Sequence, residues 1–327
     1  MKNILYYLSL CLFLFSCKKD SKDEITSSPS ASKKYAVTFN ASNFTQEVSS
    51  ISKDKGSRIS ESPLKGMAAY FLYVVYDESG KEVSLIHQDS SGTTTRLVYD
   101  DSKATNVSKG KFGIVQDSLP NGHYTAVMIA SNSPISFNSR QGSLYDREFL
   151  PFQEAYFQYR RGLSPGTRTS DTFFKQFKIV IVGQPIDQAI RLERIVGKLQ
   201  LNILDGQLAA NTQYHILIND DHEKLKVSNG QSYGGMSDFL DSEPLKIGLF
   251  NASAIDIFVL NTSTPIGVTI VYTLNGVETY KRINNVRIHK NKRTILTGNL
   301  FTQDPRSVGF TVKVDDQYDE EDVEVSF

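Results

Sequence analysis

The 327-residue chain has no tryptophan, only two cysteines, and no net charge, its 36 basic residues matching its 36 acidic ones. Each shortage excludes something. Without an overall field the protein is not drawn to nucleic acid, which is therefore not an expected partner. Two cysteines, Cys11 and Cys17, are too few to staple a fold of this size, so stability has to come from core burial, which a chain of this length supplies. No apolar run reaches the roughly 20 residues of a membrane-spanning helix. No long stretch carries the apolar period of an amphipathic helix. The five histidines, at positions 87, 123, 215, 222 and 289, show no His-x-x-x-His spacing for a metal.

What is present begins at the N-terminus. A basic start (Lys2) leads into a nearly unbroken apolar run from Ile4 to Phe15, the length of a signal-peptide core. It ends in Leu14-Phe15-Ser16-Cys17, which resembles the lipobox of bacterial lipoprotein precursors. The resemblance implies cleavage before Cys17 and acylation of Cys17 with palmitate-type chains, so residues 1–16 form the signal peptide. Cys11 leaves with it, and the mature chain then has no free thiol. Residues 17–34 open with Lys-Lys-Asp-Ser-Lys-Asp-Glu after the cysteine and continue serine-rich, too polar to order themselves. They are read as a lipidated flexible tether averaging roughly 23 Å end to end. The charged start of the tether resembles the surface-export signal of Bacteroidota lipoproteins.

From Tyr35 the pattern changes to that of strands. Tyr35, Val37 and Phe39 alternate with Ala36, Thr38 and Asn40, the period of a half-buried strand. Ser49 to Ser62 reads as a long polar loop. The apolar run Ala68 to Tyr76, the turn Asp77-Glu78-Ser79-Gly80 and the segment Lys81 to His87 read as a hairpin. Leu119-Pro120-Asn121-Gly122-His123-Tyr124 places Pro and Gly in a turn between two strands. Further strands are expected at 112–115, 125–130, 177–182, 190–204, 214–218, 224–227, 255–260, 268–274, 278–283, 294–300, 309–314 and 322–327. Short strands with turn clusters between them, and a high content of Tyr and Phe, predict an all-β protein built of sandwiches. Gly183-Gln184-Pro185 marks the expected boundary between an N-terminal domain, 35–185, and a C-terminal domain, 186–327.

Three stretches carry a family likeness: Tyr-Ala-Val-Thr-Phe-Asn-Ala-Ser-Asn-Phe-Thr-Gln at 35–46, Arg-Leu-Glu-Arg-Ile-Val-Gly-Lys-Leu at 191–199, and Asn-Lys-Arg-Thr-Ile-Leu-Thr-Gly-Asn-Leu-Phe at 291–301. With the lipobox and the Leu-Pro-x-Gly-x-Tyr turn, the chain resembles the FimB/Mfa-type fimbrial anchor lipoproteins of Bacteroidota over most of its length from Tyr35 onward. The resemblance implies two tandem transthyretin-like Greek-key β-sandwiches in a non-enzymatic subunit. It implies an outer-membrane location, with the lipid on Cys17 in the membrane and the body at the cell surface as part of a fimbrium. Other fimbrial subunits are the implied partners, joined by β-strand addition. Relatives that form the shaft lose an N-terminal strand to an Arg-directed protease; here the corresponding site would be Arg58, in the polar loop. Val323, Val325 and Phe327 alternate in the last strand, which either donates to a partner's groove or closes its own sheet. Asp117-Ser118-Leu119 resembles a Bacteroidota O-glycosylation site.

Gly230-Gln231-Ser232-Tyr233-Gly234 matches a nucleophile elbow, yet that site needs a strand, a sharp turn and a long helix, and the chain lacks alternating βα units. His289 is a downstream histidine, but it sits in the basic stretch Arg287 to Arg293. Asp220-Asp221-His222 reads as a turn. The acidic run Asp315 to Asp322 lacks the central glycine of a calcium loop and reads as a solvated hairpin tip. Lys281, Arg282, Arg287, Lys290, Lys292 and Arg293 form a basic patch read as a solvated strand face. No catalytic, cofactor-binding or metal-ligating residues are therefore assigned. The rival to the fimbrial reading is a surface glycan-binding lipoprotein of a polysaccharide-uptake system, using exposed tyrosines in place of the missing tryptophan.

Overall fold

Alternation of apolar and polar residues fixes which face of each strand is buried, and the architecture follows from where those faces meet. The computed structural model describes residues 33–44, 64–97, 105–138, 140–142, 147–159, 169–205, 214–234, 245–250, 254–274, 276–301 and 310–315. The chain is all-β over these residues apart from one short helix, α1 (Leu64–Met67). Cys17, Arg58 and the segment holding Val323, Val325 and Phe327 lie outside them.

The first strands are β1 (Lys34–Phe44), β2 (Tyr70–Asp77), β3 (Glu82–Asp89), β4 (Thr93–Leu97), β5 (Thr105–Lys109), β6 (Ile114–Pro120) and β7 (Gly122–Ser131). The short strands β8 (Ile135–Asn138), β9 (Arg140–Gly142), β10 (Arg147–Phe149) and β11 (Tyr156–Tyr159) follow, then β12 (Thr172–Ile181) and β13 (Ile186–Arg194). Nine of them form one sheet in the order β5-β4-β3-β2-β7-β12-β13-β1-β6. The sheet curls over on itself. Val37, Phe39 and Ala41 of β1, with Leu192 of β13 and Val115 of β6, pack against Tyr73 of β2 and Met128 of β7 in one core. The Phe39 ring lies 5.9 Å from Tyr73 and 5.1 Å from Phe177.

The continuous apolar run at Ala68 to Tyr76 has a structural reason. Phe71, Tyr73 and Val75 enter this first core, while Leu72, Val74 and Tyr76 enter a second core on the opposite face of the sheet. A strand covered on both sides loses its polar alternation. The second core is capped by a four-stranded sheet, β17-β16-β11-β8, in which β16 (Lys224–Lys226) and β17 (Ser232–Tyr233) come from much later in the chain. Leu225 and Val227 pack there with Phe157 and Val127.

β9 and β10 pair with each other, and the remaining strands make a sandwich. One sheet holds β14 (Gly197–Ile203), β19 (Ala254–Val259), β22 (Arg293–Gly298) and β23 (Thr311–Asp315), in the order β19-β14-β22-β23. The other holds β15 (Tyr214–Asn219), β18 (Leu245–Phe250), β20 (Ile266–Leu274) and β21 (Val277–Val286), in the order β18-β15-β20-β21. Leu199, Leu201 and Ile203 alternate inward against Ile216, Ile218 and Ile270 in a third core.

The division expected at Gly183-Gln184-Pro185 falls in the turn between two strands of the curled sheet. β13 pairs in parallel with β1, from Val37↔Ile186 to Phe44↔Leu192, and its last residues pair with β12 at Phe173↔Arg194. The change of sheet comes between Arg194 and Gly197. Strands β16 and β17 cross the expected division altogether, because Leu225 pairs with Phe157 and Ser232 with Leu225.

Candidate functional site

A sheet accepts a further strand only where a groove is vacant or an edge is open. β1 is held along both sides. It runs parallel to β13 and antiparallel to β6, the latter in unbroken register from Lys34↔Pro120 to Asn40↔Ile114. Val37, Phe39 and Ala41 are fully buried, so the strand fills its own groove.

Side chains complete what the ladders leave. Arg96 of β4 donates to Asp117 of β6 at 2.7 Å, and the Asp117 side chain is wholly enclosed. Gln88 of β3 donates to the Ile114 carbonyl at 2.7 Å and accepts from the Gly113 N–H at 3.0 Å. These bonds stitch β3 and β4 to β6 across the seam of the curled sheet. Burial drives the Tyr73 hydroxyl well above its ordinary pKa, and the nearby Asp117 charge adds to that shift. In the Asp117-Ser118-Leu119 motif, Asp117 and Leu119 are buried and Ser118 is exposed on β6, the outer strand of the sheet among the described residues. The Leu-Pro-x-Gly-x-Tyr element closes as a turn in which the Tyr124 hydroxyl donates to the Pro120 carbonyl at 3.0 Å.

The three stretches that carry the family likeness meet in space. Tyr35–Phe44 lies on β13, β14 lies parallel on β22, and Arg194 spans the joint. Its guanidinium forks onto Asp171 at 2.7 and 2.8 Å, donates to Asn291 at 3.2 Å, and lies 5.0 Å from the Phe173 ring centre. Asn291 takes a positive φ of 56° and its N–H donates to the Val196 carbonyl, locking the β21–β22 connection onto the joint. Buried carboxylates pin two further loops. Asp205 accepts from the N–H groups of Leu300 and Phe301 at 2.8 Å, and Asp221 accepts from those of His222, Leu260 and Asn261.

Among the described residues the second sandwich has an outer strand that is paired on one side only. β23 is the outer strand of its sheet among the described residues, and Val312 and Val314 sit opposite Leu296 and Thr294. Cross-strand partners share a face, and Leu296 and Thr294 are fully buried on the core side. The two valines therefore point the same way, yet are 53 % and 42 % exposed. Nearby, Lys281 lies over the Phe310 ring and donates to the Asn299 carbonyl at 3.0 Å.

Ser232 has a partner that its sequence spacing does not reveal. It lies 2.9 Å from Nδ1 of His222, while the downstream His289 is exposed on the β21–β22 connection. Burial lowers the His222 pKa, against the opposing pull of Asp220. Ser232 stands in a two-residue strand whose partner across the ladder is Leu225, without the sharp strand-to-helix turn that presents a nucleophile. Among the described residues no three His, Cys, Asp or Glu side chains group so as to hold a metal. The basic patch is partly neutralised: Arg293 pairs with Asp315 at 2.8 Å and Lys290 with Glu193 at 3.6 Å.

No family model matches the chain, and no curated protein matches it. Solved structures do resemble it. A candidate adhesin of Bacteroides thetaiotaomicron is 10 % identical, with 87 % of this chain and 97 % of that one covered at a TM-score of 0.48. A candidate polysaccharide-binding protein of the same species is 11 % identical, with 88 % and 99 % covered at 0.49. A fimbrial assembly protein of Parabacteroides distasonis is 7 % identical, with 87 % and 99 % covered at 0.43. At about one identical residue in ten, these likenesses assign this chain neither a ligand nor a role.

Proposed function

We propose that the protein is an outer-membrane lipoprotein that anchors or helps assemble a cell-surface fimbria. The observation that carries the reading is β1, clamped between β13 and β6 with its inner residues in the first core. A subunit that keeps this strand has no vacant groove in its curled sheet, and it keeps whatever is attached upstream of Lys34. That is the requirement on a base subunit held by lipid on Cys17, and it is the opposite of what a processed shaft subunit needs. Neighbouring subunits then join at an open edge. Among the described residues β23 offers one, with two inward-facing valines, and the alternating Val323, Val325 and Phe327 supply a strand for donation. No catalytic step enters this role.

The test compares wild-type cells with a Cys17→Ala strain by electron microscopy, and sheared filaments by mass spectrometry. The reading stands if wild-type filaments contain the protein in trace amount and the mutant sheds them or makes them overlong. It fails if no filament depends on the protein, and a surface glycan-binding lipoprotein then becomes the leading account.

A further inference from the structure

A half-open cleft of about 710 Å³ lies at one end of the curled sheet, on the face away from the first core. Its walls are the β2–β3 turn at Asp77–Gly80, the start of β7, the end of β12 and the turn beginning at Pro151. The register sets Tyr76, Thr125 and Lys178 side by side across three strands, with His123 and Val180 as the next pair along.

Both rims are built before any ligand arrives. One oxygen of Asp77 accepts from the Ser79 N–H at 2.9 Å, the Ser79 hydroxyl at 2.6 Å and the Lys81 N–H at 3.0 Å, which fixes the first turn. On the other side, the Pro151 carbonyl accepts from the N–H groups of Glu154 and Ala155, and Phe152 packs on Tyr76 with ring centres 4.8 Å apart. Gly80 takes a φ of +80°, a conformation that favours glycine, where the first turn lies beside Phe152. Lys178 is held in place by donating to the Thr125 hydroxyl at 2.7 Å.

We propose that this cleft binds a neutral saccharide of about two or three rings, its volume falling in the roughly 300–1,000 Å³ range of small-molecule sites. The lining decides the ligand class. Lys178, His123 and Gln153 offer donors, while the second Asp77 oxygen and Glu78 offer acceptors, a mixture suited to hydroxyl groups that both donate and accept. Phe152 and Val180, the latter 45 % exposed on the cleft floor, offer an apolar surface for the C–H face of a sugar ring. The lining carries Lys178 together with Asp77 and Glu78, so the cleft has no positive excess of the kind that selects an anion. Lys178 in turn opposes a metal cation. The rigid rims keep the ordering cost of binding low.

The experiment measures binding to the purified full chain by calorimetry and saturation-transfer NMR. The probes are neutral trisaccharides of α-glucan, β-glucan, mannan, galactan and xylan type, with an oligogalacturonide and inorganic phosphate alongside. At least one neutral trisaccharide should bind, and His123→Ala and Gln153→Ala, both at exposed positions, should each weaken it by about tenfold or more without shifting the melting temperature. Tyr280→Ser, on β21, should leave binding unchanged. The proposal is overturned if no neutral trisaccharide binds at about 10 mM, if only the acidic sugar or phosphate binds, or if both cleft variants stay within about twofold of wild type. Filament phenotype and saccharide binding are separate readouts, so neither result decides the other.

Discussion

The curled sheet and the second sandwich solve the same problem differently. In the curled sheet β1 lies inside the ladder, and an ion pair onto the enclosed Asp117 and a glutamine stitch the seam beside it. In the second sandwich the sheet ends, among the described residues, at β23, with two core-side valines half exposed. β1 of the first half is paired along both sides, whereas β23 of the second is paired, among the described residues, along one. An open apolar edge costs solubility and invites pairing, so natural proteins cover or interrupt such edges unless they are used.

The contrast can be broken most directly at Phe39. Phe39→Ala removes a fully buried ring from the closed core and should cost about 4 kcal/mol in chemical denaturation. A loss under about 1 kcal/mol would mean that β1 is not integral to that core. Arg194→Met strikes the joint between the halves and strands Asp171 without its partner. The expected loss is about 3 kcal/mol, with the two halves then unfolding at separate denaturant midpoints. Val312→Ser with Val314→Ser tests the open edge. The isolated chain should lose no more than about 0.5 kcal/mol, while incorporation into filaments falls. A large stability loss would show that those valines belong to a finished core.

The smallest effect concerns pH. His222 is held neutral by burial, so the folded chain binds fewer protons there than the unfolded chain does, and stability rises with pH through the ordinary histidine range. Its contribution is fully present above that range and is lost as pH falls toward the lower folded value. Melting temperatures at pH 8 and pH 5 should therefore differ slightly more in wild type than in His222→Gln. Equal differences would remove the histidine from the account.

Much of the strand content was legible in the sequence because burial on one face writes a period of two, as in β1 and β14. The β2–β3 hairpin was legible from its turn residues. Other features left no local trace. Thr93–Leu97 and Thr105–Lys109 are polar strands, β5 at the edge of the sheet and β4 next to it, and they carry no apolar alternation to mark them. The turn Gly183-Gln184-Pro185 has the same chemistry whether it joins two strands of one sheet or two domains, and only the pairing of β13 with β1 tells which. The return of β16 and β17 to strands β8 and β11 is a non-local pairing that no window of sequence contains. The contact between His222 and Ser232 was hidden likewise, since the spacing matches no motif and the loop between them decides it. Cys17, Val323, Val325 and Phe327 remain expectations from sequence.

The placement of β1 also bears on mechanics. A pull arriving at Lys34 from upstream runs along the axis of β1, with a parallel ladder on one side and an antiparallel ladder on the other. Loaded in this direction, the hydrogen bonds of both ladders share the force in shear and do not open one after another from an end. Phe39, wedged between Tyr73 and Phe177, would have to be dragged across its neighbours before the strand could slide. The first described strand, β1, is thus also the one best placed to resist being drawn out by its own N-terminus.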